Sequence, residues 1–524
     1  MIYNPIITGF NPDPSFIRVG DDYYIATSTF EWFPGVQIHH SRDLVHWRLL
    51  THVLTDVSLL DLKGIPSSGG IWAPHLSYHD GVFYLVYTIM RSRRSVYKDL
   101  RNYVVTSTSI RGPWSSPVYL NGSGFDPFLF HDDDGRKWLF NMRWDFRANK
   151  KRFSGILMQE YDVAKQTMTG PVKVVYEGTD LGVTEGPQLF KRGGYYYMLV
   201  AEGGTGINHA ATLARSRQLD GPYETDPEYP LLTTRGNPEY PLQNAGHGAL
   251  VETQAGDWYM AHICIRPFKG THLNPMGRET SLQKCVWTDD GWLRLAHGGR
   301  LPALQLEAPP LELHPFDPEP ARTDFSAGRL PVHFQSLRVP IDSSWLSLSE
   351  RPGYLRLKGR DSLASWQEQS MIARRLQHYT CTVETCMEYD PEYFTQMAGL
   401  VFYYDESDYY YLRVTYDEAI GKKLGVTLSD IGQYKECSDQ ETVINNWSKI
   451  FLKAQVHDRE LQFYASPDGV DWNAIGPILD MGSLSDEYGG KLGFTGTFIG
   501  LCAQDMNGTL KHVDYEYFLY EGTK

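Results

Sequence analysis

Asp13, Asp126 and Glu185 each stand just before a proline and a short apolar run: Asp13-Pro14-Ser15-Phe16-Ile17, Asp126-Pro127-Phe128-Leu129-Phe130 and Glu185-Gly186-Pro187-Gln188-Leu189-Phe190. Ala73-Pro74-His75-Leu76 and His247-Gly248-Ala249-Leu250 hold the same place in two further segments. One aspartate ahead of a proline is ordinary turn chemistry. Three carboxylates at matching strand entries carry more weight, because matching entries in a repeating fold converge. Acids crowded at one point share protons unequally, so that one is held protonated while another stays ionised, as proton transfer in catalysis requires.

The elements that would bring them together are visible as a repeat. The apolar runs start at 14, 74, 127, 187 and 248, a period of roughly 53 to 61 residues. Each is followed by a turn and an aromatic strand, as in Asp21-Asp22-Tyr23-Tyr24-Ile25, Asp80-Gly81-Val82-Phe83-Tyr84, Asp134-Gly135-Arg136-Lys137-Trp138, Gly193-Gly194-Tyr195-Tyr196-Tyr197 and Gly256-Asp257-Trp258-Tyr259. That is a hairpin signature. A third element follows in most copies, in Ser41-Arg42-Asp43-Leu44-Val45-His46-Trp47, Ser109-Ile110-Arg111-Gly112-Pro113-Trp114 and Ser216–Tyr223. Helical periodicity is almost absent. The period suits a four-stranded blade, and five copies predict a five-bladed β-propeller over residues 1–302. The first strand of each blade lines the central channel, so Asp13, Ala73, Asp126, Glu185 (with Gly186) and His247 should meet at one mouth as equivalents.

Beyond Leu301 a proline-rich connector is expected over 303–322. Residues 323–524 then show short alternating strands, among them Tyr354-Leu355-Arg356-Leu357, Ala398–Tyr404, Tyr409–Val414 and Leu461–Ala465. These predict a two-sheet β-sandwich, making the chain all-β with two domains. The net charge of −14 disfavours nucleic acid and anionic membrane as partners. No run of eighteen apolar residues is present, and no signal peptide is visible at Met1–Phe16. Six scattered cysteines without a CxxC pair point to reduced thiols in a cytoplasmic protein. The 34 tyrosines and 13 tryptophans suit both strand formation and stacking on sugar rings.

The chain resembles the two-domain β-xylosidases and α-L-arabinofuranosidases of glycoside hydrolase family 43. The resemblance rests on Gly9-Phe10-Asn11-Pro12-Asp13-Pro14, Thr29-Phe30-Glu31-Trp32-Phe33-Pro34-Gly35, Gly70-Ile71-Trp72-Ala73-Pro74, Gly124-Phe125-Asp126-Pro127, Thr184-Glu185-Gly186-Pro187, Ala245-Gly246-His247-Gly248 and Gly277-Arg278-Glu279-Thr280. The motifs keep the family's order, and the resemblance covers nearly the whole chain. The stretch Arg266–Pro275 looks short beside the family, so the pocket rim is expected to differ there. The resemblance implies a five-bladed propeller followed by a sandwich, and an exo-acting hydrolase that inverts configuration while releasing xylose from β-1,4-xylo-oligosaccharides. It implies Asp13 as general base, Glu185 as general acid, and Asp126 as the carboxylate that orients Glu185 and raises its pKa. Inversion needs the two reacting carboxyls about 6.5–9.5 Å apart, a gap that blades on opposite sides of a channel supply.

It further implies aromatic walls from Phe30, Trp72 and Trp144, and Arg278 bound to substrate hydroxyls or to a carboxylate. His247 is placed on the channel axis, bonded within the channel or beside a structural cation such as calcium; no cofactor is required for the chemistry. A sandwich loop is expected to close one side of the pocket with an aromatic residue, for which Phe498 is the candidate. A closed pocket admits only chain ends, and uptake of short oligomers agrees with a cytoplasmic site of action. Relatives assemble as dimers or tetramers, so a homo-oligomer is expected. Competing readings are a mainly α-L-arabinofuranosidase activity, a non-catalytic sugar-binding propeller and a protein-interaction propeller.

Overall fold

A computed structural model describes residues 1–93 and 95–523. It is built almost wholly of strands, with four short 3-10 turns as the helical content among the described residues. Five antiparallel sheets follow one another in the first half. Their innermost strands are β1 (Ser15–Val19), β2 (Gly70–His79), β3 (Gly124–His131), β4 (Glu185–Arg192) and β5 (Gln243–Glu252), each the first of its sheet. The repeat read from the sequence is therefore five propeller blades. The expected third elements are not strands. Ser41–Trp47 is the turn between the third and fourth strands of its blade, tied by Leu44 N–H to Ser41 Oγ (2.9 Å) and His46 N–H to Asp43 Oδ1 (2.8 Å). Small polar side chains capture nearby backbone N–H groups there and compete with a ladder.

The ring closes through the N-terminal segment. Ile2–Tyr3 pairs with Gln305–Leu306, and Ile7 bridges to Thr280 on the third strand of the fifth blade. Asn11 N–H donates to the Arg278 carbonyl (2.9 Å), and Thr280 Oγ1 donates to the Asn11 carbonyl (2.6 Å). Residues 265 positions apart, Asp13 and Arg278, are thereby laid side by side.

The second half folds as two packed sheets. One of them is ordered through β6 (Gln335–Leu337), β7 (Ser370–Arg375) and β8 (Phe498–Asp505), and continues into the propeller: Trp32–Phe33 pairs antiparallel with β6. One hydrophobic cluster spans the seam and includes Phe10, Phe30, Trp32, Trp72, Leu337, Met371, Val401 and Phe498. Burial of that shared apolar surface makes the sandwich part of the wall behind the propeller mouth. The Arg266–Pro275 stretch docks on the sandwich rather than on the mouth: Phe268 is buried in the sandwich core, with its ring 5.3 Å from that of Tyr379. All six cysteines are free. No helix among the described residues is long and apolar enough to cross a membrane.

Candidate active site

The innermost strands do not run straight into the channel. Asp13, Ala73, Asp126, Gly186 and His247 all have left-handed backbone, with φ of 55°, 35°, 56°, 56° and 47°. In β2, β3, β4 and β5 the ladder slips at this point, between Trp72 and His75, Phe125 and Phe128, Glu185 and Gln188, and Gly246 and Ala249. In the first blade the ladder ends at Ser15–Ala26, and contact resumes as Ser28 N–H to the Pro12 carbonyl (3.1 Å). Each blade thus carries a bulge that turns one residue out of the pleat, which re-aims side chains where a function needs them. Four of the five are not glycine, and left-handed backbone of that kind costs on the order of 1–3 kcal/mol each.

This corrects one expectation. The residue equivalent to Asp13 and Asp126 in the fourth blade is Gly186, and Glu185 comes one position earlier. A Cβ at Gly186 would lie 3.0–3.3 Å from the His247 ring atoms as well as carrying φ +56°, so any side chain there would require the ring to give way. The shift lets Gly186 N–H, instead of a side chain, meet the third carboxylate: it donates to Asp126 Oδ2 at 3.0 Å.

Asp13, Asp126, Glu185, His247 and Arg278 line one cavity of about 780 Å³. The three carboxylates are only 6–7 % exposed, yet their protonation diverges. Burial by itself would push Asp13 up, but Arg278, His247 and the Ser28 hydroxyl together outweigh it and hold its pKa below the usual carboxylate value. Arg278 Nη1 donates to Asp13 Oδ1 (2.9 Å) and Ser28 Oγ to Oδ2 (2.6 Å). Glu185 lacks such help: burial, then the charges of Asp126 and Asp13, raise it well above its ordinary value. Asp126 is raised by burial and by Asp13, with partial relief from Gly186 N–H and Arg278. These opposed shifts favour ionisation of Asp13 and protonation of the Asp126–Glu185 pair.

Arg278 uses both ends of its fork, with Nη2 donating to the Phe494 carbonyl at 3.0 Å, while its buried Nε has no hydrogen-bond partner among the described residues. The expected aromatic walls are present. Phe30, Trp72 and Trp144 line the cavity, the indole N–H groups donating to the Ser68 carbonyl (Trp72, 3.1 Å) and the Val96 carbonyl (Trp144, 2.8 Å). Phe498 is not part of the wall. It begins β8, is fully buried, and stacks on Trp32 with centroids 3.6 Å apart and planes at 11°. The sandwich aromatic at the cavity is Phe494, whose ring lies 5.7 Å from Trp72 and 6.3 Å from Phe30. Both phenylalanines sit in Gly493-Phe494-Thr495-Gly496-Thr497-Phe498. The glycines were the usable signal: Gly493 and Gly496 permit close backbone approach around Phe494, whereas Phe498 already opens a strand buried along its whole length. Ser28, Phe125, Arg93 and Lys98 also belong to the site or its mouth and were not singled out by the sequence.

His247 lines the cavity with Nδ1 3.9 Å from Asp13 Oδ1, and burial lowers its pKa. A cation beside it would meet the Arg278 guanidinium, which already balances Asp13. Among the described residues no group of three or more His, Cys, Asp or Glu side chains is arranged to hold a metal ion.

Comparison with known proteins agrees over both halves. Residues 2–293 match the model of glycosyl hydrolases family 43, and residues 322–521 match the beta xylosidase C-terminal concanavalin A-like domain. The solved xylan beta-1,4-xylosidase from Bacillus halodurans superposes with a TM-score of 0.98 at 55% identity, covering 99% of this chain and 100% of that one. A xylan 1,3-beta-xylosidase from a Vibrio species is 48% identical over 99% of both chains. Xylosidase/arabinosidase 43B from Humicola insolens is 45% identical over 99% of this chain and 97% of its own length.

Proposed function

The chain belongs to glycoside hydrolase family 43, and from that membership and the geometry of the pocket we propose that it releases xylose from the non-reducing ends of β-1,4-xylo-oligosaccharides with inversion at the anomeric carbon. One observation carries the reading: Asp13, bonded to Arg278 and Ser28, and Glu185, buried with its pKa pushed up, line a cavity whose wall is completed by Phe494 from the second domain. A terminal xylose stacks between Phe30, Trp72 and Phe494 with its anomeric carbon between the two carboxyls. Asp13 takes a proton from water, whose oxygen attacks that carbon. Glu185 gives its proton to the departing glycosidic oxygen as the bond breaks, and solvent exchange then restores both groups. Arg278 and Ser28 keep Asp13 ionised; Asp126 keeps Glu185 protonated.

Proton NMR of the anomeric region during digestion of β-1,4-xylobiose tests this, with the β-1,3 isomer and an arabinofuranoside in parallel. First appearance of α-xylose from the β-1,4 substrate supports the reading. First appearance of β-xylose means retention and defeats it. Faster turnover of the β-1,3 isomer or the arabinofuranoside, each suggested by the name of a close relative, reassigns the substrate.

Two further outcomes follow. Asp126→Asn removes one of the charges that raise Glu185, so the alkaline limb of the kcat/KM pH profile should move to lower pH while the acid limb, set by Asp13, stays in place. A profile unmoved at its alkaline limb would remove Asp126 from that role. Because the chemistry needs only protein groups, EDTA treatment should leave kcat unchanged; loss of activity restored by a divalent cation would assign His247 a metal. Five of the six free cysteines are buried, which supports a reducing, cytoplasmic site of action on imported short oligomers; subcellular fractionation tests it.

A further inference from the structure

Two aromatic walls of the pocket come from different domains, and one buried backbone unit touches both. Ser68, in the loop between the first and second blades, is 2 % exposed and has left-handed backbone with φ of 59°. Its carbonyl accepts the Trp72 indole N–H at 3.1 Å, and its hydroxyl oxygen accepts the Phe494 backbone N–H at 3.1 Å. Its own N–H donates to Glu31 Oε2 at 3.0 Å. The loop is clamped from the sandwich as well: Arg338 donates from Nε to the Ile65 carbonyl (2.6 Å) and from Nη2 to Ser67 Oγ (3.0 Å). Phe494 is then held on both sides of its Cα, its N–H by Ser68 and its carbonyl by Arg278, the same arginine that binds Asp13.

We propose that Ser68 is a positioning residue that sets the closed end of the sugar pocket by fixing Phe494 against Trp72 through its hydroxyl. The backbone strain has a reason in this account. Left-handed geometry at Ser68 lets one residue present its N–H, its carbonyl and its hydroxyl to three different partners. Loss of the hydroxyl leaves the Arg278 bond to its carbonyl as the remaining hydrogen bond on Phe494 itself, so the ring is held less firmly against the bound sugar, while Asp13 and Glu185 keep their places.

The inference rests on the pocket being an exo-acting sugar site, which wild-type turnover decides separately. Ser68→Gly is the clean variant, because glycine adopts φ near 59° without cost, keeps the N–H and carbonyl, and deletes only the CH2OH group that carries the hydroxyl. Kinetics are measured on whichever glycoside the wild-type enzyme hydrolyses, with free xylose as inhibitor. KM and the xylose inhibition constant should rise together by about three- to tenfold, the size expected for one hydrogen bond, with kcat reduced by less than about threefold. In a Phe494→Ala background the same substitution should add little, since there is no ring left to position. Unchanged KM and xylose inhibition in Ser68→Gly would overturn the proposal. So would effects of the two substitutions that simply multiply, or a fall in kcat alone.

Discussion

Asp13→Asn should lower kcat by about 10³-fold or more on xylobiose and on an activated aryl xyloside alike, because the attacking water loses its base whatever group departs. The substitution has a second consequence. Arg278 is 4 % exposed and Asp13 is its carboxylate partner; neutralising that partner leaves a buried guanidinium uncompensated. Removing one member of a buried pair typically costs about 3–5 kcal/mol, so the thermal midpoint should fall as well. Circular dichroism at the assay temperature separates the two effects: a folded, inactive protein is the expected result. The stability contribution has a definite pH window. Asp13 has a depressed folded-state pKa, so its contribution is present above the unfolded carboxylate pKa and is lost as pH falls through the depressed value. A folded Asp13→Asn enzyme within tenfold of the wild-type rate would remove Asp13 from the mechanism.

Glu185→Gln should show the opposite dependence on the leaving group. With xylobiose, whose departing oxygen is a sugar hydroxyl, kcat should drop by about 10²–10⁴-fold. With a nitrophenyl xyloside the departing oxygen is a weak base and needs little protonation, so the loss should be much smaller. The variant should also lose the alkaline limb of its pH profile, because that limb reports a carboxyl raised by burial and by its two acidic neighbours. Glutamine leaves no new charge in the pocket, so the fold should survive or gain slightly. Equal losses on both substrates would mean that Glu185 acts by something other than protonating the leaving oxygen.

Much of this architecture was legible before any coordinates. The five short apolar runs, four of them opened by proline, and their Gly/Asp hairpins define the blades because strand alternation and turn chemistry are local properties. The positions of Asp13, Asp126 and His247 follow from blade equivalence alone. The offset of Glu185 is local too, since runs starting at 14, 127 and 187 put Gly186 in the place of Asp13 and Asp126. What local pattern could not say is that the His247 ring of the next blade packs against Gly186.

Residue types and spacing determined the repeat, the all-β class, the sandwich and the set of acids, because each is written in periodicity and turn residues within a few positions. Tertiary structure alone decided how those acids share protons. The state of Asp13 depends on Arg278, which the closure of the ring brings from 265 residues away, and burial sets the sign of each shift. Tertiary structure also decided which phenylalanine completes the pocket. Phe494 and Phe498 are four residues apart in one motif, and the choice is made where Trp32 takes Phe498 into the seam and Ser68 and Arg278 hold Phe494 at the cavity. Those contacts join segments hundreds of residues apart, and no local pattern encodes them.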